Sequence, residues 1–420
     1  MARRRKIRRN RHSFSRRRRT NIPWKGIGGV LLLLVLCGLG VFTAKWLGGA
    51  LKHKDPAPAV SEVSEVSTSA TAPAVTTTTA APVVTVPALD KVHGFYMPKT
   101  TLLDKSAREK QVKAAVKAGL NAVVFDLKDE TGAVSYASAT KGAKKVKSVA
   151  KKALSQDDLK AFCAFCEKEG VLAIPRLCCF EDPKAAYELD DARVLYANDA
   201  SFIWLDNTEA HGGKPWLNPY SPEAHTYMKD YVTELVGFGF KDVMLTGIQF
   251  PYQTYAASFG STKFSSLSKL QVLAQFVADT KAAAKKVNPD AAVIVCAPAL
   301  ATFSDNTAVY GGNPLNFGGN AVSPLLFPDE LGDTLTVGKE TLRNPGSNPK
   351  KAVELSLKQT NLRRELIDKG KRPLLLPFIQ AYDQSEKNIA AELSALRAQN
   401  GKDAAFVLYD PNGNYTMKSY

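Results

Sequence analysis

From residue 92 to the C-terminus, short apolar runs rich in β-branched and aromatic residues alternate with stretches of helical period. The runs are Val92–Met97, Ala122–Leu127, Val171–Leu177, Val243–Phe250, Ala291–Ala297, Ala321–Phe327, Pro373–Ile379 and Ala404–Tyr409. Helical periods fall at Ser106–Ala118, Ser155–Glu169, Ser221–Phe238, Leu267–Lys286, Lys351–Lys369 and Ser385–Asn400. Continuous apolar runs of this kind read as strands buried on both faces, the mark of a parallel sheet. Parallel neighbours need long crossovers, which the helical periods supply. Several helices begin at Ser and several stop at Gly119, Gly170, Gly370 or Gly401, as end-capping chemistry predicts. Eight strands alternating with helices over about 330 residues is the count for a (β/α)8 TIM barrel, the α/β fold expected here. The loop-rich stretch Thr302–Asn320 predicts that one helix is short or missing. A doubly wound open sheet is the alternative, but no glycine-rich phosphate turn follows the first strand.

The formal charge of +16 over 420 residues is concentrated at one end. Residues 1–25 hold twelve Lys and Arg and no acid, and without them the remainder carries +4. The charge therefore gives no case for nucleic acid as partner. Residues 26–48 begin with about 19 uncharged residues, enough to cross roughly 30 Å of hydrocarbon as a helix, with Trp24 and Trp46 at interface positions. The basic tail beside this stretch predicts a single-pass membrane anchor with a cytoplasmic N-terminus. A cleaved secretory signal is the competing reading, and both place the later residues outside the cytoplasm. Residues 49–90, rich in Ala, Pro, Thr, Val and Ser, read as a disordered tether, which leaves 91–420 as the folded domain. The six cysteines are too scattered for a disulfide framework or a zinc site. Buried free thiols are expected, with no metal and no cofactor.

Chemistry in a barrel sits at the C-terminal ends of its strands. The second strand runs into Asp126, Lys128, Asp129 and Glu130, the third into Arg176, and the fourth into Gln249. By period two, Asp126 and Lys128 share a face, where they either pair with each other or serve the site. The sixth strand ends near Asp329 and Glu330, the seventh in Gln380 and Tyr382, and a long loop holds Trp216 and Asn218. Aromatic rings with amides and carboxylates around one rim suit a sugar, since rings stack on pyranose faces while amides bind hydroxyls.

The blocks NAVVFDLKDETGAVSY, IPRLCCFEDPKAA, PWLNPYSPEA, GFGFKDVMLTGIQFP, VSPLLFP and LPFIQAYD occur in this order between residues 91 and 415. Together they resemble a bacterial family of uncharacterised glycoside hydrolase-like barrel domains related to the α-amylase-like hydrolases. The resemblance implies a glycan substrate, polysaccharide or peptidoglycan. The matching polar positions are Asp126, Lys128, Asp129, Arg176, Trp216, Asn218, Gln249 and Gln380. The block that in members of this family reads Phe-Asp-Tyr-Ile-Arg-Phe-Pro is here Leu245 to Pro251, with Thr246 for the Asp and Gln249 for the Arg.

Glycoside hydrolysis ordinarily uses two carboxyl groups. The expected catalytic set is therefore Asp126 or Asp129 as base or nucleophile and Glu330 as an acid with its pKa raised by its pocket. Lys128, Arg176, Trp216, Asn218, Gln249, Gln380 and Tyr382 are expected to bind substrate. The other reading is a catalytically silent barrel that binds envelope glycan.

Overall fold

The computed structural model describes residues 85–417. The expected basic tail and membrane span, and nearly all of the tether, lie outside the described residues. Among the described residues no helix is long and apolar enough to cross a membrane.

Eight parallel strands form the barrel wall: β1 (His93–Met97), β2 (Ala122–Lys128), β3 (Leu172–Cys178), β4 (Asp242–Thr246), β5 (Ala292–Pro298), β6 (Ala321–Leu326), β7 (Leu374–Leu375 and Phe378–Gln380) and β8 (Phe406–Tyr409). Each pairs in parallel with the next. β8 returns to β1 through His93–Phe406, Gly94–Val407 and Phe95–Leu408. That last ladder closes the sheet and rules out the open alternative. Pro377 breaks β7 in two, since proline offers no N–H to a ladder.

The helices that follow the strands are α1 (Lys105–Lys117), α2 (Gln156–Lys168), α3 (Pro222–Gly237), α4 (Lys269–Val287), α5 (Ala299–Phe303), α6 (Pro349–Glu365) and α7 (Glu386–Asn400), with short helices at Lys99–Leu102, Lys141–Val146 and Pro183–Glu188 besides. The five-residue α5 is the short helix expected after the fifth strand. Side chains of Asp104, Ser155, Ser221, Ser268 and Ser385 cap α1, α2, α3, α4 and α7, each accepting from a backbone N–H of the first turn.

Alternation along the strands divides the core into two layers. Val124, Ile174, Met244, Ile294 and Val407 point into the barrel with Tyr96, Cys296 and Phe378, and Leu89 joins them. Val123, Phe125, Leu177, Val243, Leu245, Val293 and Val295 point outward onto the helices. Val86 packs against the inner layer, so the packed chain starts a few residues before the expected Lys91. Among the described residues the ladders and both layers form within 86–417. The barrel sheet closes on itself among the described residues.

Three insertions decorate the barrel. Val134–Tyr136 runs antiparallel to the end of β2 and pairs with Val149–Leu154, a short helix Lys141–Val146 lying between them. Leu195–Tyr196 pairs with Ala257–Ser258. Thr334–Val337 forms a hairpin with Glu340–Arg343.

Candidate active site

The inward phase of the strands carries chemistry at the C-terminal mouth. On β2 the inward positions Ala122 and Val124 lead to Asp126, and on β3 Leu172 and Ile174 lead to Arg176. These two residues are register partners. The Arg176 guanidinium holds the Asp126 carboxylate at both ends, Nε to Oδ1 at 2.5 Å and Nη2 to Oδ2 at 2.9 Å. The Tyr96 hydroxyl donates to the same Oδ2 at 2.8 Å. Asp126 keeps 22% of its side chain exposed and Arg176 13%, so the pair faces the opening instead of being sealed under it.

Aromatic rings surround the guanidinium, its carbon lying 5.2 Å from the ring centre of Tyr96, 5.7 Å from Phe378 and 5.9 Å from Tyr409. Burial opposes the charge on Arg176, but Asp126 outweighs it and leaves the guanidinium gripping its proton more firmly than a free arginine. Burial, and then the Asp126 charge, push the Tyr96 hydroxyl well above its ordinary range, so it remains a donor. The Cys296 thiol beside the pair is pushed up to about 11 by burial.

The aromatic surface continues around the mouth. Tyr96 meets Tyr409 at 4.8 Å between ring centres, Phe327 stacks on Tyr409 at 5.0 Å, and Tyr382 contacts Tyr409 at 6.1 Å. At the far end the Tyr382 hydroxyl donates to Glu330 at 2.8 Å. Asp126 and Glu330 therefore bound one tyrosine wall, and Tyr409 between them feels both charges. Glu330 is exposed at the end of the turn Pro328–Glu330, without the enclosing pocket expected for it.

The other expected site residues have different surroundings. A bulge between Asp126 and Lys128 shifts the β2 register, so that Lys128 lies opposite Leu177, which faces the helices. Asp126 and Lys128 therefore do not share a face and do not pair. Lys128 is buried, its ammonium 2.8 Å from Asp182, donating to the Cys178 carbonyl at 2.6 Å and lying over the Tyr227 ring on α3. Burial works against that ammonium, but Asp182 outweighs it and raises the pKa. Asp129 holds a turn together, accepting from Thr131 Oγ1 at 2.6 Å, Thr131 N at 3.0 Å and Ala133 N at 3.1 Å. Burial raises its pKa, but these bonds and Lys99 bring it below the ordinary range.

Trp216 is the core of an insertion, packed with Val194 and Trp204 and donating to Asp206 at 3.0 Å. Asn218 ties the same insertion to the Phe259 carbonyl at 2.7 Å. Gln249 is buried and accepts from the Tyr310 hydroxyl at 2.8 Å. Gln380, fully buried, latches β7 to the β6 loop through Asp329 at 2.6 Å. The expected set thus divides: Asp126, Arg176, Tyr382 and Glu330 meet on one surface, while the amides, Trp216, Lys128 and Asp129 brace the loops around it.

Beneath the mouth lie the buried rings of Tyr96, Phe327 and Phe378, which were not among the expected residues, together with Tyr409, expected at the end of the eighth strand but not as a site residue. The signal for the two tyrosines was their inward phase at the ends of β1 and β8. β4 contributes Thr246, which lies beside the Cys296 thiol. The described cysteines, Cys163, Cys166, Cys178, Cys179 and Cys296, are all free thiols, of which Cys163 is half-buried. Among the described residues no group of three His, Cys, Asp or Glu side chains is placed to hold a metal ion.

Comparison with known proteins adds the family. Residues 94–415 match the family described as "putative glycosyl hydrolase domain". No curated protein matches the chain. Among solved structures, a hypothetical protein from Ruminiclostridium thermocellum is 22% identical over 48% of this chain and 96% of its own, with a TM-score of 0.41. The catalytic domain of a β-amylase from Paenibacillus polymyxa is 12% identical over 79% of this chain and 94% of its own, with a TM-score of 0.47. A β-N-acetylhexosaminidase from Bacteroides fragilis is 12% identical over 69% of this chain and 50% of its own, with a TM-score of 0.43. The family match spans every strand of the barrel and both carboxylates of the mouth, and the chain belongs to this glycosyl hydrolase domain family.

Proposed function

We propose that the domain is a glycoside hydrolase acting from a membrane anchor on cell-envelope or extracellular polysaccharide, with Asp126 and Glu330 as its two carboxyl groups. One observation carries the reading. Each carboxylate accepts a tyrosine hydroxyl at 2.8 Å, and those tyrosines flank Tyr409 in continuous ring contact. A sugar seated beside Tyr382 and Tyr409 would lie between two carboxyl groups, the pairing that glycoside hydrolysis ordinarily uses. Asp126, its charge compensated by Arg176, either deprotonates the attacking water or bonds to the anomeric carbon. Glu330 gives its proton to the departing glycosidic oxygen. The uncharged stretch after the basic tail supports the anchor, with the barrel on the extracytoplasmic side.

A glycan-binding barrel without catalysis is favoured by one specific feature: β4 presents Thr246 where members of the family carry an Asp. A single experiment separates the two. Residues 80–420 are incubated with purified envelope polysaccharides and peptidoglycan, and soluble products are read by mass spectrometry. New oligosaccharides that disappear with Asp126→Asn support the hydrolase. Protein retained on insoluble glycan with no products in solution establishes the binding barrel instead.

A further inference from the structure

The insertion between β2 and α2 is the most one-sidedly charged part of the described chain. Residues 131–156 contain no acid and six lysines, Lys141, Lys144, Lys145, Lys147, Lys151 and Lys152, all exposed. Two of the six are partly neutralised by α3: Lys145 pairs with Glu223 at 3.3 Å, and Lys141 lies within the field of Asp230. Lys144, Lys147, Lys151 and Lys152 have no acidic partner among the described residues. Beyond residue 25 the chain carries +4, so these six account for more than all of its net positive charge.

The backbone that presents the lysines is fixed from beneath. Ala143, Val146, Ser148 and Leu154 are buried. The Ser148 and Tyr231 hydroxyls bond at 2.8 Å, and Glu234 of α3 accepts from Tyr136, Ser138 and the Ala139 N–H, each at 2.7 Å. Lys147 ends the short helix in the left-handed region at φ 53°, a conformation that ordinarily selects glycine. The strand Val149–Leu154 ends the path of strands and pairs along one edge, with Val134–Tyr136. Lysines on a free edge guard against pairing with another strand. That role needs charge on the strand itself and does not account for Lys144 and Lys147 on the adjoining helix and its cap.

We infer that this insertion is a docking surface for a linear anionic polysaccharide, its carboxylate or phosphate groups meeting Lys144 and Lys147 on the short helix and its cap and Lys151 and Lys152 along the adjoining edge strand. The four unpaired ammonium groups, on a braced scaffold, complement a chain of repeating negative charge. The choice of a polysaccharide among polyanions rests on the glycan reading of the barrel; the surface itself lies outside the mouth. It extends that reading to a substrate that carries charge.

The test measures retention of residues 80–420 on immobilised polygalacturonate across a salt series, with neutral dextran and double-stranded DNA as comparisons. The unaltered protein is expected to bind polygalacturonate in a salt-sensitive manner and to ignore dextran. The combined variant K144E/K147E/K151E/K152E is expected to bind about tenfold more weakly or worse, with a shallower salt dependence. A matching set of Lys→Gln changes guards against misfolding caused by charge reversal, and an unchanged thermal transition certifies both variants. Equal retention of the unaltered and altered proteins overturns the inference, as does tighter binding to DNA than to polygalacturonate. Neither result touches hydrolysis at the mouth, which is read from products, so failure of this surface and failure of the hydrolase reading are told apart.

Discussion

Three residues show how little a side chain's type alone decides. Asp126 and Lys128 stand two apart on one strand, yet one faces the mouth beside Arg176 and the other is buried over Tyr227. Lys128→Met leaves Asp182 as an uncompensated buried charge and is expected to cost about 3–5 kcal/mol, read by denaturant unfolding. Hydrolysis per folded molecule should be unchanged, which separates a brace from a substrate contact. Glu392, on α7, is fully buried with no hydrogen bond to either carboxyl oxygen. Burial pushes its carboxyl up to about 9, against the opposing backbone of Gln380. The native state therefore holds a proton that the unfolded chain has lost. Stability should fall by up to about 1.4 kcal/mol per pH unit as pH rises from about 4.5 to about 9. Glu392→Gln is expected to remove this slope and to stabilise the protein by about 2–4 kcal/mol at pH 8, measured as thermal stability across a pH series. Nothing in the amphipathic pattern of α7 marks Glu392 as buried, because one polar residue on an apolar face does not disturb the period.

At the scale of elements, the strands and helices were legible in the sequence almost to their ends, since both faces of a barrel strand are apolar and the helices carry explicit caps. The failures lie where backbone geometry departs from the simple period. The β2 bulge reverses the facing of Lys128, and no local residue announces it. β4 was expected to run to Phe250 but stops at Thr246, because Gly247 turns to φ +64° and its O accepts from Phe180 N at 3.1 Å. A Cβ at Gly247 would lie 2.9 Å from Cys178 Sγ. Gly247→Ala is therefore expected to cost about 1–3 kcal/mol, seen as a lowered thermal transition. The loop amides Asn218, Gln249 and Gln380 looked like sugar ligands because a sequence gives chemistry without partners. In the fold each already has a protein partner, and the sequence held no sign of the Phe259, Tyr310 and Asp329 groups that claim them.

For the whole molecule, the closed ladder makes the mouth one surface built from strands far apart in the chain. The tyrosine wall joins β1, β7 and β8, which no local motif connects; the sequence places Tyr409 at a strand end on the rim, but not its contact with Tyr96. Closure also predicts that residues 80–420 unfold in one cooperative transition without the N-terminal region; two separate transitions in calorimetry would contradict a self-sufficient barrel. The central claim is that Asp126 and Glu330 act as separate halves of one catalytic pair across that wall. Its most direct test compares two substrates built on the sugar that the product analysis identifies: the natural glycan, and a dinitrophenyl glycoside whose leaving group departs without a proton. Glu330→Gln is expected to lose about 10²–10⁴-fold on the glycan while keeping most of its rate on the dinitrophenyl glycoside, and Asp126→Asn to lose both. Undiminished hydrolysis of the glycan by either variant would contradict the account.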